Sequence, residues 1–586
     1  DDASGHEGLY HILNAAFLGL FGRTVAGIRW LSVLMGTLTI PLTYLVGKRL
    51  FGREVGWLAA VTLTVSFWSL MYSRTGIRHI SLPLFTLPTF YFFLQGIWIG
   101  RTQLQYKPFI LSGLFLGVGF YTYFASRGVP LILIAFSLYL ALVDWANFGR
   151  YWKGIVVTHL LALVIAIPLL VALQQQPEAE ARVAELAAPV TQAREGDFAL
   201  LVEHMTRTLN MFHSDGDDEF LYNIPFRPLF GPLTAVFFWG GVALALFYTF
   251  RPLVGVFKTG WRTASLDPLG FGSAFLLLWW MAGISPAFLS IPAASLSHTI
   301  LAQSAVYILL AMPLLLLIRW HRGVALGTAV LLVGLIAWRD LPAYFVEWPN
   351  RGLTRLLYRA DIADAAAYAQ THNLTDFTIT GLLAGPWDRI AMEMYLAEYE
   401  ARPRWYNGER VIFLRPSQGF YDFPVTQNML GAEQFTPQGA AGGYKFGTVA
   451  APLAAENLFC FANGLCVQTA DFDPQTGTLD ILWHVARPLD LPEIPLISNP
   501  PPPGVYAGPR LSVFAHLLDE DENIIRGDDG LWVDVLTLRP DDLFWQRHIL
   551  PPTDGQTAVR FGLYDPMTGQ RILTTDGADY WQIEIE

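Results

Sequence analysis

Several short segments set acids, arginines and histidines at the edges of apolar runs, where a membrane protein gathers the groups that do chemistry. His6-Glu7 stands just before the apolar stretch 9–21. The Glu7 carboxylate can serve a site, and it equally favours the N-terminus of a helix. The stretch is short for a span and reads as an interfacial helix. Ser73-Arg74-Thr75-Gly76-Ile77-Arg78-His79 places two arginines in one short loop. Guanidinium forks match phosphate oxygens, so Arg74 and Arg78 are candidates for an anionic ligand. Anchoring to lipid headgroups is the competing role for such a loop. Tyr121-Thr122-Tyr123-Phe124-Ala125-Ser126-Arg127 sets Arg127 among aromatics, where an ordinary aromatic belt competes.

Residues 174–229 form a long amphipathic connection. Within it, His213, Asp215, Asp217, Asp218 and Glu219 crowd into seven residues, followed by Asn223-Ile224-Pro225-Phe226-Arg227-Pro228. Carboxylate and imidazole together suit a divalent cation. The same acids also suit a solvated turn. Ser295-Leu296-Ser297-His298 then opens another apolar run, and a histidine there can donate to an anion or satisfy a loop carbonyl.

The elements that must position these residues are membrane spans. A bilayer core needs about 20 apolar residues in a helix. Such runs recur at about 25–47, 54–72, 80–99, 108–125, 129–145, 153–173, 230–250, 268–290, 298–318 and 323–340. If the ten spans alternate, five basic clusters fall on one side: Lys48-Arg49 with Arg53, Arg101 with Lys107, Arg150 with Lys153, Arg251 with Lys258 and Arg262, and Arg319 with Arg322. Lys and Arg at span ends mark the cytoplasmic face. Residue 1, the loop 174–229 and everything after about 341 are then expected outside the cytoplasm.

Charge divides the 586 residues near position 350. Residues 1–350 hold 22 Lys and Arg against 18 Asp and Glu, and residues 351–586 hold 16 against 31. With 53% apolar and 15% charged residues overall, disorder is excluded, and a net charge of −11 argues against a nucleic-acid partner. A multi-pass α-helical membrane domain is expected over 1–345. An extracytoplasmic α/β unit follows at 346–420, and a β-sandwich at 421–586. In the α/β unit, Asp361 to Gln370 and about 387–400 read as helices. Phe377-Thr378-Ile379-Thr380 and Val411-Ile412-Phe413-Leu414 read as strands. Leu479-Asp480-Ile481-Leu482-Trp483 and the run 511–517 read as sandwich strands, with the stiff loop Pro500-Pro501-Pro502-Pro503-Gly504 between them. Cys460 and Cys466 bracket a hairpin loop Ala462-Asn463-Gly464, which sets the two thiols opposite each other for a disulfide in an oxidising compartment. Two buried free thiols are the alternative.

Taken in order, these motifs resemble the glycosyltransferase C superfamily. The likeness is to family 39 enzymes related to protein mannosyltransferases and the aminoarabinose transferase of lipid A. Gly5-His6-Glu7-Gly8-Leu9-Tyr10 is similar to the family's G-x-E-P-L-Y entry segment, and Ser73-Arg74-Thr75-Gly76-Ile77-Arg78 to its S-R-x-G-x-R loop. Arg29-Trp30-Leu31-Ser32 with Gly36-Thr37-Leu38-Thr39-Ile40-Pro41, Gly119-Phe120-Tyr121-Thr122-Tyr123 with Arg127 and Pro130, and Gly216-Asp217 with Asn223-Ile224-Pro225 and Pro228 also fit. In the tail, Val513-Phe514-Ala515-His516-Leu517-Leu518-Asp519 and Gly562-Leu563-Tyr564-Asp565-Pro566 resemble the β-sandwich of bacterial members.

The resemblance implies an enzyme of the bacterial plasma (inner) membrane. It would move a hexosyl or pentosyl group from a polyprenyl-phosphate donor to a lipid, glycan or protein acceptor, in cell-envelope or protein glycosylation. Glu7 would lie near the carrier phosphate or a bound divalent metal, with His213 as second ligand. Arg74, Arg78 and Arg127 would face phosphate. Tyr123, Asp217, Asn223 and His298 would line the cavity. The family's catalytic acid, in a first outer loop, is expected upstream of Asp1 after one further span. Ser297-His298-Thr299-Ile300-Leu301-Ala302 lacks the arginine that many relatives carry there. The rival readings are a non-catalytic lipid-linked-sugar binder or flippase, a secondary transporter, and an anchor whose β-sandwich binds glycans.

Overall fold

The computed structural model describes residues 8–97, 103–175, 187–260, 266–381, 386–397, 399, 401–421, 435–450, 456–491 and 510–585. The chain divides into two compact units, Asp1–Thr354 and Arg355–Glu586.

The first unit is a multi-pass helical membrane domain. Each of the ten expected spans has a helix in its place. Seven are long and apolar enough to cross a bilayer alone: Val25–Phe51, Phe124–Val143, Trp145–Gln175, Pro232–Val254, Pro268–Leu289, Ile300–Trp320 and Arg322–Asn350. An eighth is the pair Arg53–Thr64 and Phe67–Arg74, bent by 61°. The other two, Ser81–Gly96 and Tyr106–Gly119, have 16 and 14 residues, short of the usual 20.

Local chemistry sets the helix ends. The Thr24 hydroxyl accepts from the Gly27 amide, and the Asp267 carboxylate accepts from the Gly270 amide, so each caps the helix that follows. Ser66 caps the second half of the bent span by accepting from Ser69. Asp340 meets the same helix start, accepting from the Phe67 amide at 2.9 Å. Glycine allows close helix approach. A Cβ on Gly56 would lie 2.7 Å from the Tyr44 carbonyl oxygen.

The second unit holds three five-stranded sheets among the described residues. In one, β1 (Thr378–Thr380) lies between β2 (Arg404–Tyr406) and β4 (Gln418–Tyr421), parallel to both. Next to β4 come β6 (Tyr444–Val449) and β5 (Phe435–Ala441), paired antiparallel. The helices Ala360–Thr371 and Pro386–Tyr395 belong with this sheet. Ile362, Ala365, Ala366 and Met392 share its core with Ile379, Trp405 and Phe420. An α/β sheet was expected here, but it runs past the expected boundary at 420 to take in β5 and β6, while the expected α/β strand at 411–414 pairs in the sandwich instead.

The other two sheets form a sandwich. One runs β3 (Val411–Arg415), β12 (Leu543–Ile549), β9 (Thr478–Val485), β8 (Leu465–Asp473), β7 (Phe459–Cys460). The other runs β11 (Ile524–Gly527), β10 (Ser512–Leu518), β13 (Ala558–Tyr564), β14 (Arg571–Ile572), with β15 (Trp581–Glu584) also on β13. Alternate residues Val513, Ala515 and Leu517 of β10 meet Val559, Phe561 and Leu563 of β13 and Ile481, Trp483 and Val485 of β9 in one core. Arg404 at the start of β2 forks onto Asp542 with two 2.8 Å bonds, both residues buried, and so ties the α/β sheet to the sandwich. Cys460 and Cys466 pair directly across β7 and β8 and form a disulfide. The turn between them uses Gly464 at φ 99°, a backbone only glycine adopts without strain. The expected loop 500–504 lies outside the described residues.

Candidate active-site cavity

A cavity of about 1400 Å³ opens within the membrane unit. Its lining includes Arg78, Tyr123, Arg127 and His298, four of the residues singled out in the sequence. The loop after Arg74 turns at Gly76 (φ 75°), where a Cβ would lie 3.2 Å from the Ile28 carbonyl oxygen. Arg78 then opens the short 3₁₀ turn Arg78–Ile80, closed by the Ser81 hydroxyl donating to the Arg78 carbonyl at 2.5 Å. The Arg78 guanidinium lies 5.6 Å from the Tyr123 ring centroid, and the His79 ring 4.6 Å from the same ring. Arg127 lies over Phe124 at 4.5 Å, within the 3₁₀ turn Phe124–Gly128. Rings so placed attract a cation to their faces. His298 meets the Ser290 hydroxyl through Nδ1 at 2.9 Å.

The lining also includes His11, His79, Glu219 and Tyr222, which the sequence reading did not single out. Two of them left a signal. His11 follows Glu7 by four positions in the sequence, and Glu219 ends the acidic run. His79 and Tyr222 are ordinary neighbours of Arg78 and Asn223, and only the fold assembles their rings, 6.4 Å apart. Two arginines and three histidines thus share the lining with one carboxylate, and most of the remaining wall is apolar, as at Leu9, Ile12, Leu169, Leu173 and Leu301.

Other expected residues lie elsewhere. Arg74 does not line the cavity. It ends the helix Phe67–Arg74 and lies over Phe345 at 5.3 Å. Asp217 and Asn223 line a separate, small pocket with Trp68, Arg227 and Leu296. Asp217 is fully buried. Its Oδ2 accepts from the Leu296 amide at 2.7 Å and its Oδ1 from the Glu219 amide at 2.9 Å. Burial pushes its carboxyl up to about 7, against these two bonds and with help from the nearby charges of Asp218 and Glu219. The Asn223 amide donates to the carbonyls of Asp217 and Arg227, closing the loop on itself. Gly216 permits that closure, since a Cβ there would lie 2.0 Å from the Arg227 carbonyl oxygen.

The metal expectation rests on Glu7 and His213. Glu7 lies outside the described residues. His213 is exposed, its ring edge-on to Trp239 at 5.8 Å. Among the described residues, no three His, Cys, Asp or Glu side chains come together to hold a metal. The described residues do not supply a metal's donor set.

Comparison with known proteins bears on this cavity. Residues 9–171 match the model of the dolichyl-phosphate-mannose-protein mannosyltransferase family. The resemblance read from the arginine loop and the Tyr123 segment therefore stands over this stretch, which contributes Arg78, Tyr123 and Arg127. No curated protein sequence matches the chain. Among solved structures, the Archaeoglobus fulgidus oligosaccharyltransferase complexed with Zn and sulfate is 15% identical, with a TM-score of 0.39. That match covers 68% of this chain and 54% of that one, so the chain spans about half the length of that relative. AglB from the same organism, in complex with an inhibitory peptide and a dolichol-phosphate, is 16% identical over 68% and 56%, with a TM-score of 0.38. ArnT from Cupriavidus metallidurans bound to undecaprenyl phosphate is 13% identical over 77% and 90%, with a TM-score of 0.41.

Proposed function

We propose that the chain is a membrane glycosyltransferase that moves a sugar from a polyprenyl-phosphate carrier to an acceptor at the extracytoplasmic face of a bacterial plasma membrane. The observation that carries this reading is the cavity lining. It sets two arginines and three histidines against one carboxylate, in walls otherwise largely apolar, within a multi-pass helical unit. A phosphate on a long isoprenoid needs that combination of fixed cations and greasy wall. The family match over residues 9–171 supports the same class of donor.

In this reading the sugar's C1–O bond to the carrier phosphate breaks as the acceptor oxygen bonds to C1 from the opposite side. The acceptor's proton passes to a general base. Charge grows on the departing lipid phosphate, where Arg78 and Arg127 stabilise it and His298 donates to it. Tyr123 holds Arg78 and His79 in place. Asp217 and Asn223 shape the loop that borders the cavity through Glu219 and Tyr222.

The test is transfer from a polyprenyl-phosphate sugar by the full-length protein in membranes. Arg78→Ala should lower the rate by about 10²-fold or more, in the range for removing one fixed donor from a developing anion. An unchanged rate removes the phosphate assignment. Tight donor binding with no transfer to any acceptor points instead to a lipid-linked-sugar binder or flippase. Transfer that survives EDTA agrees with a metal-free site. Loss on EDTA that a divalent cation restores returns Glu7 and His213 as its ligands.

A further inference from the structure

The helix Ala199–Asn210 carries three different faces. Its inner face is polar and buried. His204 is 5% exposed, and its Nδ1 meets the Ser290 carbonyl at 3.1 Å. Thr208 is fully buried, and its hydroxyl accepts from the Ala294 amide at 3.2 Å. A second face begins at the N-cap and runs Phe198, Val202, Met205, Leu209, in steps of four, three and four residues. These positions form one stripe along a helix. The stripe is apolar yet uncovered: Phe198 is 58% exposed, Val202 57% and Met205 40%. The third face, Glu203 and Thr206, is polar and exposed.

A helix in water does not keep an open apolar stripe beside its polar one, and a helix in a protein core does not keep Glu203 exposed. The three-way division fits a helix lying along a membrane surface, with protein on one side, lipid below and water above. Its depth is marked independently. The candidate span Pro268–Leu289 ends at Leu289, and the residue that His204 bonds is Ser290, the next in the chain. Leu289 and Ile291, on either side of Ser290, are themselves 45% and 42% exposed. The stripe therefore continues an apolar surface that a span end already presents to lipid.

We propose that the helix Ala199–Asn210 docks on the outer leaflet of the bilayer through Phe198, Val202, Met205 and Leu209, and braces the His298 wall of the cavity. The brace is visible in the hydrogen bonds. Ser290 joins the two histidines, its carbonyl to His204 and its hydroxyl to His298. Thr208 holds Ala294 in the same segment, and Asp217 in the following loop holds Leu296. Lipid under the stripe fixes the height of the helix, and the helix fixes the segment 290–298. The occupant is a lipid surface, whatever group the cavity transfers, so this inference stands or falls apart from the proposed reaction.

The test uses the full-length protein in nanodiscs of phosphatidylethanolamine and phosphatidylglycerol. The two cysteines of the chain are joined in the disulfide, so a single introduced thiol takes the label. Spin labels at Val202→Cys and Met205→Cys are compared with labels at Glu203→Cys and Thr206→Cys. Collisions with oxygen, which partitions into lipid, and with a water-soluble nickel chelate are read at each position. The expected result is an oxygen-to-nickel ratio several-fold higher at 202 and 205 than at 203 and 206. Equal nickel access at all four positions overturns the proposal in favour of a helix in water. Exclusion of both reagents from 202 and 205 overturns it in favour of a protein surface that covers the stripe. A label that disturbs folding is detected by comparing the melting temperature of each variant with that of the unlabelled protein.

Discussion

Asp217 is a carboxylate kept where charge is costly. Burial raises its carboxyl to about 7, yet both oxygens accept amide hydrogens, from Leu296 and Glu219. Between the ordinary carboxylate range near 4 and the folded value near 7, the folded chain binds the proton and the unfolded chain does not. Stability contributed here is therefore lost as pH rises through that window. Asp217→Asn removes the charge but turns one acceptor into a donor facing an N–H. At pH 5 it should destabilise the membrane unit by about 1–3 kcal/mol, the usual cost of an unmet buried donor. At pH 8 the gap should narrow, because only the parent protein then buries a charge. Melting curves in detergent at the two pH values check both statements, and a gap that widens with pH contradicts the burial argument. Arg74 and Arg78 show what residue spacing conceals. Set in one short loop, they suggest a shared anion site. Gly76 at φ 75° turns the chain between them, so Arg78 lines the cavity while Arg74 turns to Phe345.

Among the elements, the spans were legible because a bilayer demands long apolar runs, and such runs survive without knowledge of any partner. The bend at Val65–Ser66 was not, because its second support is 273 residues away. Asp340 accepts from the Phe67 amide, and its other oxygen takes Arg227 at 2.5 Å and Arg339 at 3.1 Å. Arg227 also lies over the Phe67 ring at 5.2 Å. One carboxylate thus joins the bent span, the last span and the loop that carries Asp217. Asp340→Ala leaves two arginines and an amide without their partner and should cost about 3–5 kcal/mol, as for breaking a buried ion pair. A loss under ~1 kcal/mol in detergent unfolding excludes the joint as a structural support. In the second unit, the strands and the hairpin disulfide were legible from alternation and turn residues. Which strand pairs with which was not. The chain passes from β2 in the α/β sheet to β3 in the sandwich and returns to the α/β sheet with β4. No local pattern encodes a partner such as β12, more than a hundred residues on. The double change Cys460→Ser with Cys466→Ser opens a short loop, and the chain-entropy account puts its cost at about 2 kcal/mol. Thermal unfolding with and without reductant measures it directly, and only the parent protein should respond to reductant.

At the scale of the whole molecule, the two units meet acid differently. The first 350 residues hold few ionisable groups for their length, whereas the acidic second unit builds charge into its sheets. His548 on β12 is the sharpest case. Its Nδ1–H donates to the Asp528 carbonyl at 2.6 Å, and its Nε2 accepts from the Gln546 amide at 2.8 Å. Gln546 cannot turn over to receive a proton instead. Its Oε1 is occupied by the Trp532 amide, and its Nε2 also donates to the Gly530 carbonyl. A protonated His548 would face a donor with a donor, inside a core that already disfavours charge. Burial pushes the imidazole down to about 4, with Arg410 adding to the shift and Asp528 and Asp529 opposing it. The unfolded chain binds its proton near the ordinary 6.5 and the folded chain only near 4. Stability is therefore complete above about 6.5 and falls as pH drops through the interval, by on the order of 3 kcal/mol in all. Hydrogen exchange on the full chain reads this strand by strand. Protection of β12 and its partner β9 should fall between pH 6.5 and 4 after correction for intrinsic exchange. Protection in the membrane unit should hold or rise over the same interval, because Asp217 takes up its proton there. His548→Gln, which keeps a neutral donor and acceptor, should flatten the response of β12. If the variant loses protection as steeply as the parent, His548 is not the group that titrates.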